Sequence, residues 1–145
     1  PLGVVAGVLT QLVLLRGLYW VIGQFVDGDP SDEARALAEP MDGAFDWILL
    51  SFAVVIMAPL VEEFFFRGIF LRSIQRKLGA TPAILVSGLV FAAVHLQPLQ
   101  FPGLLVVGVV ASALAVYSGR LGLPIAYHFG FNAAGLVALF MELAD

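Results

Sequence analysis

Six side chains have the types and spacing to activate water and to hold an oxyanion: Glu62, Glu63, Arg67, His95, His128 and Asn132. The run Glu62-Glu63-Phe64-Phe65-Phe66-Arg67 lies inside a long apolar stretch, residues 47–71. At the centre of a membrane helix an Asp, Lys or Arg costs roughly 2.5–3.5 kcal/mol on insertion scales. Two acids and an arginine in one span therefore require internal partners or water. On a helix Glu63 and Arg67 stand four residues apart with the acid first, the favourable order for an ion pair. Glu62 projects about 100° away from Glu63. Arg67 is then expected to hold Glu63 ionised, while Glu62, less directly compensated, is left to act as a general base. The structural alternative is that both acids pair with Arg67, and with Arg16, only to lock helices together.

The chain has two histidines, His95 and His128, each in an apolar stretch. A single intramembrane histidine is often a hydrogen-bonded packing residue. His128, however, is followed four residues later by Asn132, on the same helical face, so two side-chain donors can converge on one oxygen. Phe91, one turn before His95, reads as packing. An acid pair, two imidazoles and an amide on three helices supply a base, an orienting or ligating imidazole and an oxyanion clamp, the parts of a water-activating hydrolase. Two histidines and a glutamate also resemble catalytic zinc sets in kind. There is no His-Glu-xx-His helix, and His128 is better used beside Asn132 as a donor. The expectation is a metal-free glutamate mechanism without a cofactor, zinc being the less favoured alternative.

The elements that must position these groups follow from composition. Hydrophobic residues make up 61% of the 145 and charged residues 12%, against about 25% charged in ordinary soluble domains; mean hydropathy is +1.00. Spans of about 20 residues divide the chain into four or five helices. The fold class is all-α, a polytopic transmembrane bundle of about five membrane helices with a polar intramembrane site. Cysteine is absent, which excludes disulfides, a thiolate nucleophile and cysteine-based metal sites. Helices are expected over 2–25, 47–77, 82–96, 104–117 and 123–143. The first lacks a basic leader and a clear cleavage site, so it reads as a membrane helix rather than a signal peptide. Arg16 within it either snorkels to an interface or partners a buried carboxylate.

Residues 27–46 carry Asp27, Asp29, Asp32, Glu33, Glu39, Asp42 and Asp46 and form an extramembrane loop. Within it Ser31-Asp32-Glu33 can open a short surface helix, with Ser or Asp capping its first N–H groups. Thr81 before Pro82 reads as the N-cap of the third helix. At about 1.5 Å per residue, His95 lies about 21 Å along its helix and His128 only about 7 Å along its own. Their convergence needs the third helix to start outside the hydrocarbon, or the turn at 119–124 to dip inward.

Charge gives the orientation. Arg72, Arg76, Lys77 and Arg120 fall in two loops on one side, which the positive-inside rule makes cytoplasmic. The acidic loop and a tail with Glu142 and Asp145 fall on the other. The chain divides into residues 1–46, a membrane helix with its acidic non-cytoplasmic loop, and residues 47–145, the core carrying the motifs.

Glu62-Glu63-xxx-Arg67, then Phe91-xxx-His95, then His128-xxx-Asn132, in that order and in a membrane setting, resemble the three-motif signature of the CPBP intramembrane proteases. These are relatives of the Ras-converting CAAX prenyl endopeptidase and of bacterial bacteriocin-processing and Abi proteins. The resemblance covers residues 47–140. It implies a helical bundle with an intramembrane cavity, in which Glu62 with His95 activates water for peptide hydrolysis and His128 with Asn132 steadies the tetrahedral oxyanion. The resemblance also implies that the first glutamate of the pair is the essential one, in agreement with the argument from the Glu63–Arg67 spacing. Expected partners are the lipid bilayer and a peptide or membrane-protein substrate, with no nucleic acid, and the expected location is a bacterial inner membrane. The alternative is a non-catalytic scaffold or accessory subunit with partner subunits in a membrane complex, since fold does not fix function. A small transporter or proton relay, also built from buried Glu and His, lacks the support of an internal repeat.

Overall fold

The computed structural model describes residues 1–144; Asp145, expected in the acidic tail, lies outside the described residues. Every regular element among them is helical. Helix α1 spans Leu2–Ile22, α2 Asp32–Ala38, α3 Ala44–Leu78, α4 Ala80–Val94, α5 Phe101–Ser118 and α6 Gly122–Ala144. Of the five apolar helices, α1, α3, α5 and α6 are long enough to cross a membrane, whereas α4 has 15 residues. The chain is a helical membrane bundle.

Two local expectations are corrected. Helix α4 begins at Ala80 rather than Pro82, and its cap is Gly79 at φ 82°, so Thr81 lies inside the first turn instead of capping it. Glycine is suited to this junction, because that φ lies where a Cβ is penalised. Ser31 makes no side-chain cap bond at α2; its backbone N–H donates instead to Asp29 Oδ1 at 2.8 Å, an Asx turn. That bond, and then the Arg35 guanidinium, hold the Asp29 carboxyl below the usual carboxylate range. At the far end of α4, Leu96 takes φ 55°, a left-handed conformation that ends the helix immediately after His95.

Helices α1 and α6 run parallel with their backbones in close approach. Gly3 and Gly7 meet Ala126, Tyr127 and Phe131, while Gly130 meets Val4. Small residues allow such contact in a membrane, where apolar burial no longer drives association. Helices α4 and α5 cross in the same way through Gly88, Gly108 and Val109. Leu71, Ala83 and Ala115 form a buried layer at one end of the bundle, with Arg72, Arg76 and Lys77 just beyond it. At the opposite end Arg35 joins Glu142 and Trp47 packs edge-on against Phe140 at 5.2 Å. The basic loops and the acidic loop thus occupy opposite ends of the bundle.

Three stretches, at 10–15, 52–57 and 64–70, widen to π-helical turns. Two of them flank Ala58–Glu63 in α3, so the motif sits between two wide turns. Pro59, buried near the start of that segment, has no N–H to donate, and a widened turn just before it relieves the ladder.

Candidate active site

Glu63, Arg67 and His128 form the centre of the buried site. Arg67 Nη1 donates to Glu63 Oε1 at 2.8 Å, and both side chains are fully buried. The i,i+4 pair expected from spacing is therefore present, and it is completed from three other helices. Arg67 Nη2 donates to the Gly108 carbonyl of α5 at 3.1 Å, and the guanidinium lies 4.5 Å from the centre of the Phe91 ring of α4, a cation–π contact. From α6, His128 Nδ1 lies 2.9 Å from the same Glu63 oxygen. A carboxylate only accepts, so Nδ1 carries the hydrogen and Nε2 is the nitrogen directed elsewhere.

That nitrogen faces Glu62, whose Oε2 is 3.8 Å away. Glu62 is the less constrained acid of the two: its side chain is 28% exposed, against 0% for Glu63. The distance exceeds a hydrogen bond, as a geometry completed by a reacting group would.

His95 occupies the end of α4. Its Nδ1 donates to the Phe91 carbonyl at 2.7 Å, and Nε2 makes no hydrogen bond among the described residues. Phe91 lies between the two imidazoles, with ring centres 4.7 Å from His95 and 5.9 Å from His128. Among the described residues no carboxylate oxygen lies within ion-pair distance of His95. The axial mismatch between the histidines is removed by an offset of the helices. Leu121 of the α5–α6 turn packs at Gly68, about 15 Å short of the end of α3 at 1.5 Å per residue, so α4 starts well before α6.

Asn132 Nδ2 donates to the Val54 carbonyl in the first π-helical turn of α3 at 2.8 Å. One of its two N–H donors is thus committed and one remains. Arg16 is exposed and, among the described residues, makes no ion pair. Spacing alone did not point to the Gly108 and Val54 carbonyls, because any residue type can offer one.

The family model for type II CAAX prenyl endopeptidase Rce1-like proteins matches residues 44–134. The chain belongs to the Rce1-like family. An Escherichia coli protein described as an uncharacterized 24.3 kDa protein is 36% identical over 101 residues, covering 63% of this chain and 45% of the relative. The chain thus spans less than half the length of that relative. No solved structure matches. The Rce1-like match opens at the first residue of α3 and closes two residues beyond Asn132, taking in all six candidate residues and leaving out α1 and α2.

Proposed function

We propose that this Rce1-like chain is an intramembrane endopeptidase in which Glu62 is the general base. The observation that carries this reading is the pairing of a partly open Glu62 with a His128 whose orientation is locked by Glu63 and Arg67. Water between Glu62 and the scissile carbonyl gives one proton to a Glu62 oxygen as its own oxygen bonds to the carbonyl carbon. The charge that develops on the carbonyl oxygen is met by the remaining Asn132 N–H and by protonated His128 through Nε2–H. When the tetrahedral intermediate collapses, Glu62 returns its proton to the leaving amine, and the C–N bond breaks. His95 orients the water through Nε2, the ring nitrogen that its Phe91 bond leaves free, and so need not touch Glu62 directly.

Glu63 and Arg67 are paired with each other in full burial, which lowers the cost of burying both. Glu63 Oε1 accepts from both Arg67 and His128 Nδ1, and the proposed mechanism uses no metal ion. The substrate is a peptide or membrane protein and the compartment a bacterial inner membrane.

A scaffold reading draws on one observation as well: Glu63, Arg67 and His128 tie α3, α5 and α6 together whether or not Glu62 does chemistry. Glu62→Gln separates the two. It removes the proton acceptor at nearly constant shape from a side chain outside the lock. Hydrolysis of an established substrate should be abolished while the protein stays folded. Full activity in Glu62→Gln would refute the base, and a native complex indifferent to Glu62, His128 and Asn132 would favour the scaffold.

A further inference from the structure

A cavity of about 590 Å³ lies between α1, α3, α5 and α6 at the acidic end of the bundle. Its walls are mainly apolar, with Leu12, Leu15, Leu50, Leu104 and Phe131 prominent. Its inner wall includes Asn132 and Val54, the pair joined by the amide–carbonyl bond described above. His128 follows one turn farther in along α6, and Glu62 two turns farther along α3. At the mouth, Pro30, Ser31, Ala34 and Leu37 of α2 and its leading turn form a roof.

Ala38 buries the end of α2 near Trp47 and Phe140, and one residue supplies the ion pairs that hold the roof. Arg35 Nη1 reaches Asp29 at 2.7 Å and Asp32 at 2.9 Å, while its Nε donates to Glu142 of α6 at 2.8 Å and Nη2 joins the same carboxylate. This bridge crosses from the loop to the last turns of α6, and among the described residues it is the ion pair that joins them. Its members are all substantially exposed, with side-chain exposures between 33% and 67%. Exposed pairs of this kind are individually weak, so the bridge can hold α2 over the cavity and can also release it.

We infer that α2 is a gate: the cavity beneath it receives the apolar chain of the substrate on its way to Glu62 and His128, and Arg35 is the latch. This inference rests on the endopeptidase reading for the identity of the site, while the gate itself is a property of α2. The chemistry of the walls selects an extended apolar segment, and the polar pair Asn132 and Val54 marks where that segment passes from the cavity toward the buried acids. Entry is from the end opposite the basic loops.

The absence of cysteine makes the test direct. In the full chain, a single cysteine at Leu136, which lines the cavity, is alkylated with a small maleimide, and a cysteine at the exposed Tyr117 at the other end serves as control. Arg35→Ala should raise the rate at 136 by up to about tenfold, the loss of several exposed pairs together. Arg35→Lys should raise it less, high salt should mimic the effect, and the control rate should not move. In a second construction, cysteines at Ala34 and Leu139 are joined by a reducible bifunctional maleimide. The clamp should slow entry of a third, probe cysteine's reagent and block hydrolysis, and cleaving the linker should restore both. An Arg35→Ala rate at 136 equal to the parent's overturns the gate. So does a clamped protein that hydrolyses at the parent rate while Glu62→Gln is inactive, an outcome that leaves the endopeptidase reading intact. Gated alkylation in a protein whose hydrolysis ignores Glu62 does the opposite, supporting the gate and removing the assigned base.

Discussion

Replacing Glu63 tests whether the buried lock is what presents His128 to Glu62. Glu63 Oε1 accepts from Arg67 Nη1 at 2.8 Å and from His128 Nδ1 at 2.9 Å, with no exposure of either acid or arginine. Removing one member of a buried ion pair costs about 3–5 kcal/mol, because the partner's charge is left uncompensated. Glutamine keeps an acceptor oxygen and can retain one of the two bonds, so Glu63→Gln should fall near 3 kcal/mol. Glu63→Ala, which loses both bonds and leaves space, should fall near 5 kcal/mol. Glu62→Gln, lying outside the lock, should cost less than about 1 kcal/mol. Unfolding in detergent micelles titrated with sodium dodecyl sulfate, followed by the fluorescence of Trp20 and Trp47, measures all three. Arg67→Met on the Glu63→Gln background should cost much less than the sum of the single changes, since the charge left unpaired is itself removed. If Glu63→Gln costs less than about 1 kcal/mol, or if the two changes add within about 0.5 kcal/mol, the lock is not the source of stability argued here.

Asn132→Ala should lower kcat on the order of 10²–10³-fold with KM nearly unchanged, as loss of one oxyanion donor does; prolonged chelation of the parent protein should have no effect, and stoichiometric zinc released by His128→Ala would refute the metal-free mechanism. Single cysteines at Gly43 and Gln75 report orientation in intact cells: an impermeant thiol reagent should label 43 and spare 75, and the reverse pattern would invert the assignment. The pH response of the loop follows from Asp29, whose folded carboxyl titrates below its unfolded value of about 3.9. Its contribution is therefore complete above that unfolded value and is lost as pH falls through the depressed one. A spin label at Ala36 should stay equally immobile from pH 7 to about pH 5 and gain mobility only in stronger acid, whereas release above pH 5 would show that Asp29 is not what anchors the turn.

What sequence alone determined about this protein is what depends on near neighbours and on composition. An apolar run needs no knowledge of its partners to be a membrane helix, and the five runs appear as helices with ends shifted by a few residues. Glu63 and Arg67 meet because i and i+4 meet on any helix. The separation of basic loops from the acidic loop followed from counting spans, and the three motifs in order were sufficient to suggest the family. Tertiary structure decided what depends on how far each helix slides along its neighbour. Straight-helix counting kept His95 and His128 apart, and the offset between α4 and α6 removed the difference by placing Phe91 between their rings. The bond from His128 to Glu63, the choice of Nε2 as the face toward Glu62, and the capture of Asn132 by Val54 arise from the same offsets and from two widened turns in α3. The close approach of α1 and α6 was not read from the sequence: Gly3 and Gly7 are four residues apart, but nothing local names the helix they meet. Residues 27–46 show the limit most clearly. Their acidity marked a solvated loop, yet the contact of Arg35 with Glu142, 107 residues away, and the burial of Ala38 make part of that loop a roof, because long-range contacts have no period in the sequence.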